Sequence, residues 1–178
     1  MDGGQLSIMN LQYQKGKSEQ AYIFFWKEDE ENGWLSNWYK SKFVIDDFEY
    51  LHVEQYIMAQ KAKLFHDSKR YTAILKSNKQ WEVKALGREI TPFDNTIWIA
   101  HRSKIAKVAI KAKFEQNKDL YKKLLATDNA ILVEASPKDK IWGIGLDAET
   151  ASHTDCKDWP GEGILGDILM EVREELRK

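Results

Sequence analysis

Val53–Ala62, VEQYIMAQKA, decides how this chain is read. As a helix it places Glu54, Met58, Lys61 and Phe65 within a sector roughly 60° wide, because seven residues complete two turns less about 20°. Val53, Ile57 and Leu64 form an apolar stripe beside that sector. Two opposite charges thus sit among Met and Phe on a helix with apolar residues around much of its circumference. Such a helix is normally well buried, and an ion removed from water costs several kcal/mol unless it is paired. The pattern fits an exposed Glu–Lys pair on a solvated face. It fits better a catalytic carboxylate with a cationic neighbour in a pocket.

Upstream of this helix, residues 1–20 are polar, contain glycine and read as a loose extension. Ala21–Trp26 (AYIFFW) reads as a short aromatic strand, ended by an acidic run and Gly33. Trp34–Tyr39 (WLSNWY) is a loop in which Trp34 and Trp38 flank Ser36 and Asn37. Aromatic rings packed around two hydrogen-bonding side chains can stack on a flat ligand, or they can be core. Phe43–Tyr50 alternates as a hairpin with Asp46–Asp47 at its turn.

Downstream the chain becomes helical. A second helix capped by Asp67 or Ser68 runs through Lys76, and a third covers Gln80–Leu86 and stops at Gly87. A long helix spans about Thr96–Glu115, with Ile97, Ile105, Val108 and Ala112 as its expected apolar side. Lys104, Lys107 and Lys111 form a basic stripe on it. Asn117 starts a further helix to Ala126. Ile131–Glu134 (ILVE) reads as a buried strand leading into Ala135–Gly145, ASPKDKIWGIG. That loop carries Asp139, Trp142 and Gly143, and its glycines let backbone approach a ligand. Asp147–Trp159 reads as a mobile loop, and Ile164–Leu176 closes the chain as an amphipathic helix.

At 178 residues, with 43% hydrophobic content and seven Trp, the chain can bury one core as one domain over residues 21–178. The expected class is mainly α with a few short β-strands (α+β). A net charge of −1 supplies no global field toward nucleic acid or membrane. No apolar run approaches a membrane span, and the start lacks a signal-peptide pattern. The single Cys156 excludes an internal disulfide framework and suits a reducing, cytoplasmic setting. His52, His66, His101 and His153 fall in no metal-ligand spacing, so neither a metal nor another cofactor is expected.

WLSNWY, VEQYIMAQKA, ALGR (Ala85–Arg88), Trp98, KFEQN (Lys113–Asn117), LVEAS, KDKIWGIG and ILGDILMEVREEL occur in one order along the chain. In that order they resemble the NADAR-domain family, also called YbiA-like, from about Phe24 to the C-terminus. The resemblance implies a mainly helical single-domain fold and hydrolysis of N-glycosidic bonds of ribose. It implies one of two substrates: ribosylamino-pyrimidine phosphates of riboflavin biosynthesis, or ADP-ribose on guanine in nucleic acid. It places the family's catalytic glutamate at Glu54, its Schiff-base lysine at Lys61, its functional tryptophan at Trp98 and its aspartate at Asp139. Arg88 fits a phosphate-binding or structural arginine. Two positions depart from the family: Gln55 stands where a His is common, and Gly163 where an Asn is usual.

The chemistry asks for the same residue types. Cleavage of a ribosyl C–N bond passes through an oxocarbenium-like state that a carboxylate stabilises, and a carboxylate can also activate water. Glu54 and Asp139 can supply the pair, Trp98, Trp34 or Trp38 can stack on the base, and Lys61 can hold a phosphate or attack an opened sugar. A non-catalytic ADP-ribose or nucleotide-binding module is the other reading, and it would lack the two acidic residues.

Overall fold

The computed structural model describes residues 11–13 and 21–178. Helix α1 (Val53–Leu64) lies at the centre, capped by His52, whose Nδ1 accepts a hydrogen bond from the Gln55 amide. Val53, Ile57, Ala59 and Ala62 are all 0% exposed, so apolar surface does surround much of the helix. Helices α2 (Ser68–Lys76), α3 (Gln80–Arg88) and α4 (Asn95–Gln116) pack around it. Asp67 caps α2 as expected, accepting from the Arg70 amide.

Two expectations about this layer are corrected. Gly87 does not stop α3 but lies inside it, where an added Cβ would sit 2.1 Å from the Met58 sulfur. Glycine there lets α3 approach α1, a role that looks like a stop signal in sequence. On α4 the inward side is Arg102, Ala106, Ala109, Ile110, Ala112, Lys113 and Phe114, so Ala112 is buried as expected, whereas Ile97 and Val108 are more than 40% exposed. Small alanines and two buried basic side chains, Arg102 and Lys113, hide that face from a hydrophobicity count.

Strands β1 (Leu11–Tyr13), β2 (Ala21–Phe25) and β5 (Ile131–Glu134) form one sheet, in the order β1-β2-β5. Leu11–Tyr13 therefore pairs with the domain, inside a stretch read as extension; the rest of residues 1–20 lies outside the described residues. β2 and β5 run parallel, with Phe25 opposite Glu134. Strands β3 (Phe43–Ile45) and β4 (Phe48–Tyr50) make the expected hairpin, with Asp46 and Asp47 both at positive φ in its turn. Helix α5 (Lys118–Ala126) follows α4. The supposed mobile loop contains a short helix, α6 (Ala148–Ser152), capped by Asp147 and anchored by the fully buried Ala151. Helix α7 (Ile164–Leu176) packs on both β5 and α4. Among the described residues no helix is long and apolar enough to cross a membrane.

Candidate active site

Three segments meet at the N-terminal end of α1. The WLSNWY loop is fixed there by backbone, since the Glu54 amide donates to Asn37 O at 3.0 Å. From below, Lys113 holds the same loop: its Nζ donates to Trp34 O at 2.7 Å and to Ser36 O at 3.0 Å. Lys113 is 1% exposed, and burial lowers its pKa to about 7. A neutral amine has two N–H groups, which matches two carbonyl acceptors without a counter-ion.

The third segment is the loop after β5. Asp139 Oδ1 accepts from the amides of Ile141 and Trp142 at 2.8 and 2.9 Å, which turns the chain back. The Ile144 amide then donates to Glu134 O at 3.0 Å. Gly143 makes this fold-back fit: an added Cβ would lie 2.9 Å from Glu134 O and 3.0 Å from Asp139 O. The requirement on Gly143 is therefore room for its own backbone.

Glu54 retains some accessible surface, but protein encloses it closely enough that burial raises its pKa to about 7. Lys84 opposes that rise, Asp139 adds to it, and Lys61 opposes it. Glu54 also lies in the first turn of α1, where the helix dipole favours the anion. Lys61 donates from Nζ to Gly87 O at 2.8 Å and lies over the rings of Phe93 (4.6 Å) and Trp98 (5.7 Å). Burial lowers the Lys61 pKa while Glu54 raises it, and burial prevails.

Trp38 sits between the His52 ring, 5.3 Å away, and Lys84 Nζ, 5.9 Å from its centroid. Glu54, Lys61, Trp98, Trp38 and Asp139 are thus drawn together by contact or by charge. Trp34 packs differently: its ring meets Phe114 edge-on at 6.1 Å and lies under Lys123, so its contacts are with α4 and α5. Ser36 and Asn37 are buried, and Asn37 Oδ1 is sealed from solvent with no hydrogen-bond partner among the described residues. Trp142 is partly buried against the main core, and Arg88 is exposed at the end of α3.

Sequence reasoning missed two residues. One is Lys84, the cation whose charge acts most strongly on Glu54; it sits one turn before Arg88 on the exposed face of α3. The other is Glu134. Its pKa is raised to about 8, first by burial, then by Asp139 and Glu54. Its Oε2 is sealed and has no hydrogen-bond partner among the described residues. The available signal was an acidic residue closing an apolar strand in step with Leu132, which faces the core.

Residues 24–177 match the NADAR domain family. The chain belongs to the NADAR-domain family. It is 48% identical over 127 residues to an N-glycosidase of Acanthamoeba polyphaga mimivirus, covering 71% of this chain and 75% of that protein. It is 32% identical over 156 residues to a riboflavin biosynthesis protein of Vibrio vulnificus, covering 88% of this chain but 39% of the relative. The NMR structure of Escherichia coli YbiA superposes with a TM-score of 0.74 at 27% identity, covering 94% of this chain and 90% of that one.

The two departures from the NADAR pattern have structural accounts. Gln55 is 1% exposed; its Oε1 accepts from the Leu51 amide, and its Nε2 donates to Ile74 O and Ser77 O. It ties α1 to the end of α2. Gly163 has φ 68° at the N-cap of α7, a conformation that Asn also tolerates. The basic stripe is largely neutralised: Lys107 pairs with Glu171 and Glu175, and Lys111 with Glu175 and Glu115.

Proposed function

We propose that this NADAR protein is a hydrolase of N-glycosidic bonds in ribosyl compounds, with a small ribosylamino-pyrimidine phosphate as its substrate. One observation carries the reading: Glu54 is an enclosed carboxyl whose pKa is raised to about 7, with Lys84, Lys61 and Asp139 as its charged neighbours and the two lysines lying over the faces of Trp38 and Trp98. A group with that pKa can be an anion beside a developing cation and still accept a proton from water at neutral pH. The N-glycosidase name of the mimivirus relative and the riboflavin name of the Vibrio relative support the reaction class and the small substrate. So does the pairing of Lys107 and Lys111 with glutamates, because binding a nucleic-acid backbone needs free cations.

In this reading the sugar carbon C1 lies over Glu54, whose charge opposes the positive charge that grows as the C–N bond lengthens. Trp38 and Trp98 stack on the flat base. Lys84 and Arg88 meet the phosphate from the exposed face of α3. Lys61, held by Gly87 O and two ring faces, acts as a fixed cation toward a sugar hydroxyl or phosphate oxygen. Asp139 works from a set position, since its Oδ1 already anchors the turn.

The test is to incubate the protein separately with ribosylamino-pyrimidine phosphate and with ADP-ribosylated guanine DNA, and to follow released base and sugar. Release from the pyrimidine compound at a higher kcat/KM is the expected result. Preference for the DNA would replace the substrate, and no release from either would overturn the reading.

A further inference from the structure

Resting on the N-glycosidase reading, we propose that Glu134 is the acid that protonates the departing base, with Glu54 as its anionic partner at C1. Glu134 ends β5, two residues after Leu132, which is 1% exposed in the main core. Side chains two apart on a strand share a face, so Glu134 points with Leu132 toward the side that holds α1. Val133 points the other way, into the separate cluster of Tyr22, Ile144 and Ala151.

Charges around the pair decide which carboxyl holds the proton. Glu54 on α1 faces Lys84 of α3 and Lys61 of its own helix, and both favour its anion. Among the described residues, the charges that act on Glu134 are both acidic, Asp139 in the loop and Glu54 on α1. Among the described residues, the elements packed on β5 bring one buried cation, Arg173 of α7, and it sits at the opposite end of the strand, donating to Ala130 O; beside Glu134, β2 presents Phe25, and α7 turns Leu165, Ile168 and Leu169 inward. Its sealed Oε2 accepts no hydrogen bond from the described residues, which is costly for a carboxylate and cheaper for a neutral carboxyl. Two neighbouring carboxyls that share one proton place it where no cation helps the anion.

The step balances. As the C1–N bond breaks, its electron pair goes to nitrogen, which takes the proton of Glu134. Water adds its oxygen to C1 and gives one proton to Glu54. That proton passes back to Glu134, so both carboxyls end as they began and one water has added across the bond.

The test compares kcat and KM from pH 5 to 9 for the parent, Glu134→Gln and Glu54→Gln. Glu134→Gln should lower kcat about 100-fold with KM little changed, and should lose the basic limb of the profile. Glu54→Gln should lose the acidic limb instead. A Glu134→Gln protein with near-parental kcat, or with the basic limb retained, would overturn the assignment while leaving the N-glycosidase reading intact. A parent without turnover on any ribosyl compound would overturn that reading first. Independently of turnover, carbon-13 NMR of Glu-labelled protein should show the signal lost in Glu134→Gln titrating above the one lost in Glu54→Gln. A Glu134 carboxyl titrating in the ordinary range would sink the proposal outright.

Discussion

Glu54 is favoured as an anion by Lys84 and disfavoured by burial, and burial wins. Its folded pKa of about 7 lies above the ordinary glutamate value, so the folded state binds the proton more tightly than the unfolded chain. The stability this contributes is fully present below the unfolded pKa and is lost as pH rises through about 7. Glu54→Gln should therefore melt above the parent at pH 8.5, with the gap closing toward pH 4.5; thermal scans across that range check it. A variant melting lower throughout would make Glu54 a structural group. Trp98 stands near Lys61 and partly exposed, so Trp98→Ala should weaken binding of a nucleotide-like ligand by about 1–3 kcal/mol, read by fluorescence titration. Lys61 is bound to a carbonyl and two ring faces, an arrangement suited to an ammonium. Borohydride added during turnover should then trap no adduct on the peptide containing Lys61. A trapped sugar, absent in Lys61→Ala, would put an imine in place of direct attack by water.

The WLSNWY loop depends on α4 through Lys113, which satisfies two of its carbonyls from inside the core. Lys113→Met should remove the side-chain donor to Trp34 O and leave Ser36 O with the Tyr39 amide alone, and should cost about 1–3 kcal/mol in unfolding free energy, measured by urea denaturation. The loop after β5 can be dissected more finely. Asp139→Asn keeps an oxygen that can accept from Ile141 and Trp142 and removes only the charge, whereas Asp139→Ala removes both. The Asn variant should melt near the parent with reduced turnover, and the Ala variant should lose stability as well. Helix α2, under its Asp67 cap, and α7, with its inward leucines, were legible in sequence. The inward face of α4 was not, because alanine, Arg102 and Lys113 carry its burial. Gly87 and Gly143 were misread or underread for one physical reason: sequence shows a glycine but not the atom that approaches it.

At the scale of the molecule, the parallel pairing of β2 with β5 carries the end of β5 toward the N-terminal end of α1. That juxtaposition joins Glu54, Glu134 and Asp139, which lie far apart in sequence. A pair on one helix, Glu54 and Lys61, could be seen from spacing alone. Asp139 required family resemblance, and Glu134 required the fold, because a strand's facing is invisible until its partners are known. The charge stripe on α4 shows the same dependence, since Glu171 and Glu175 reach it only after α7 docks. The central claim is that Glu54 does chemistry on a ribosyl C–N bond. The most direct measurement is the rate of base release from ribosylamino-pyrimidine phosphate by the parent and by Glu54→Gln at pH 7. Turnover by the parent and a fall of about 100-fold or more in the variant, with folding retained, is the predicted result. Equal rates in the two proteins would contradict it.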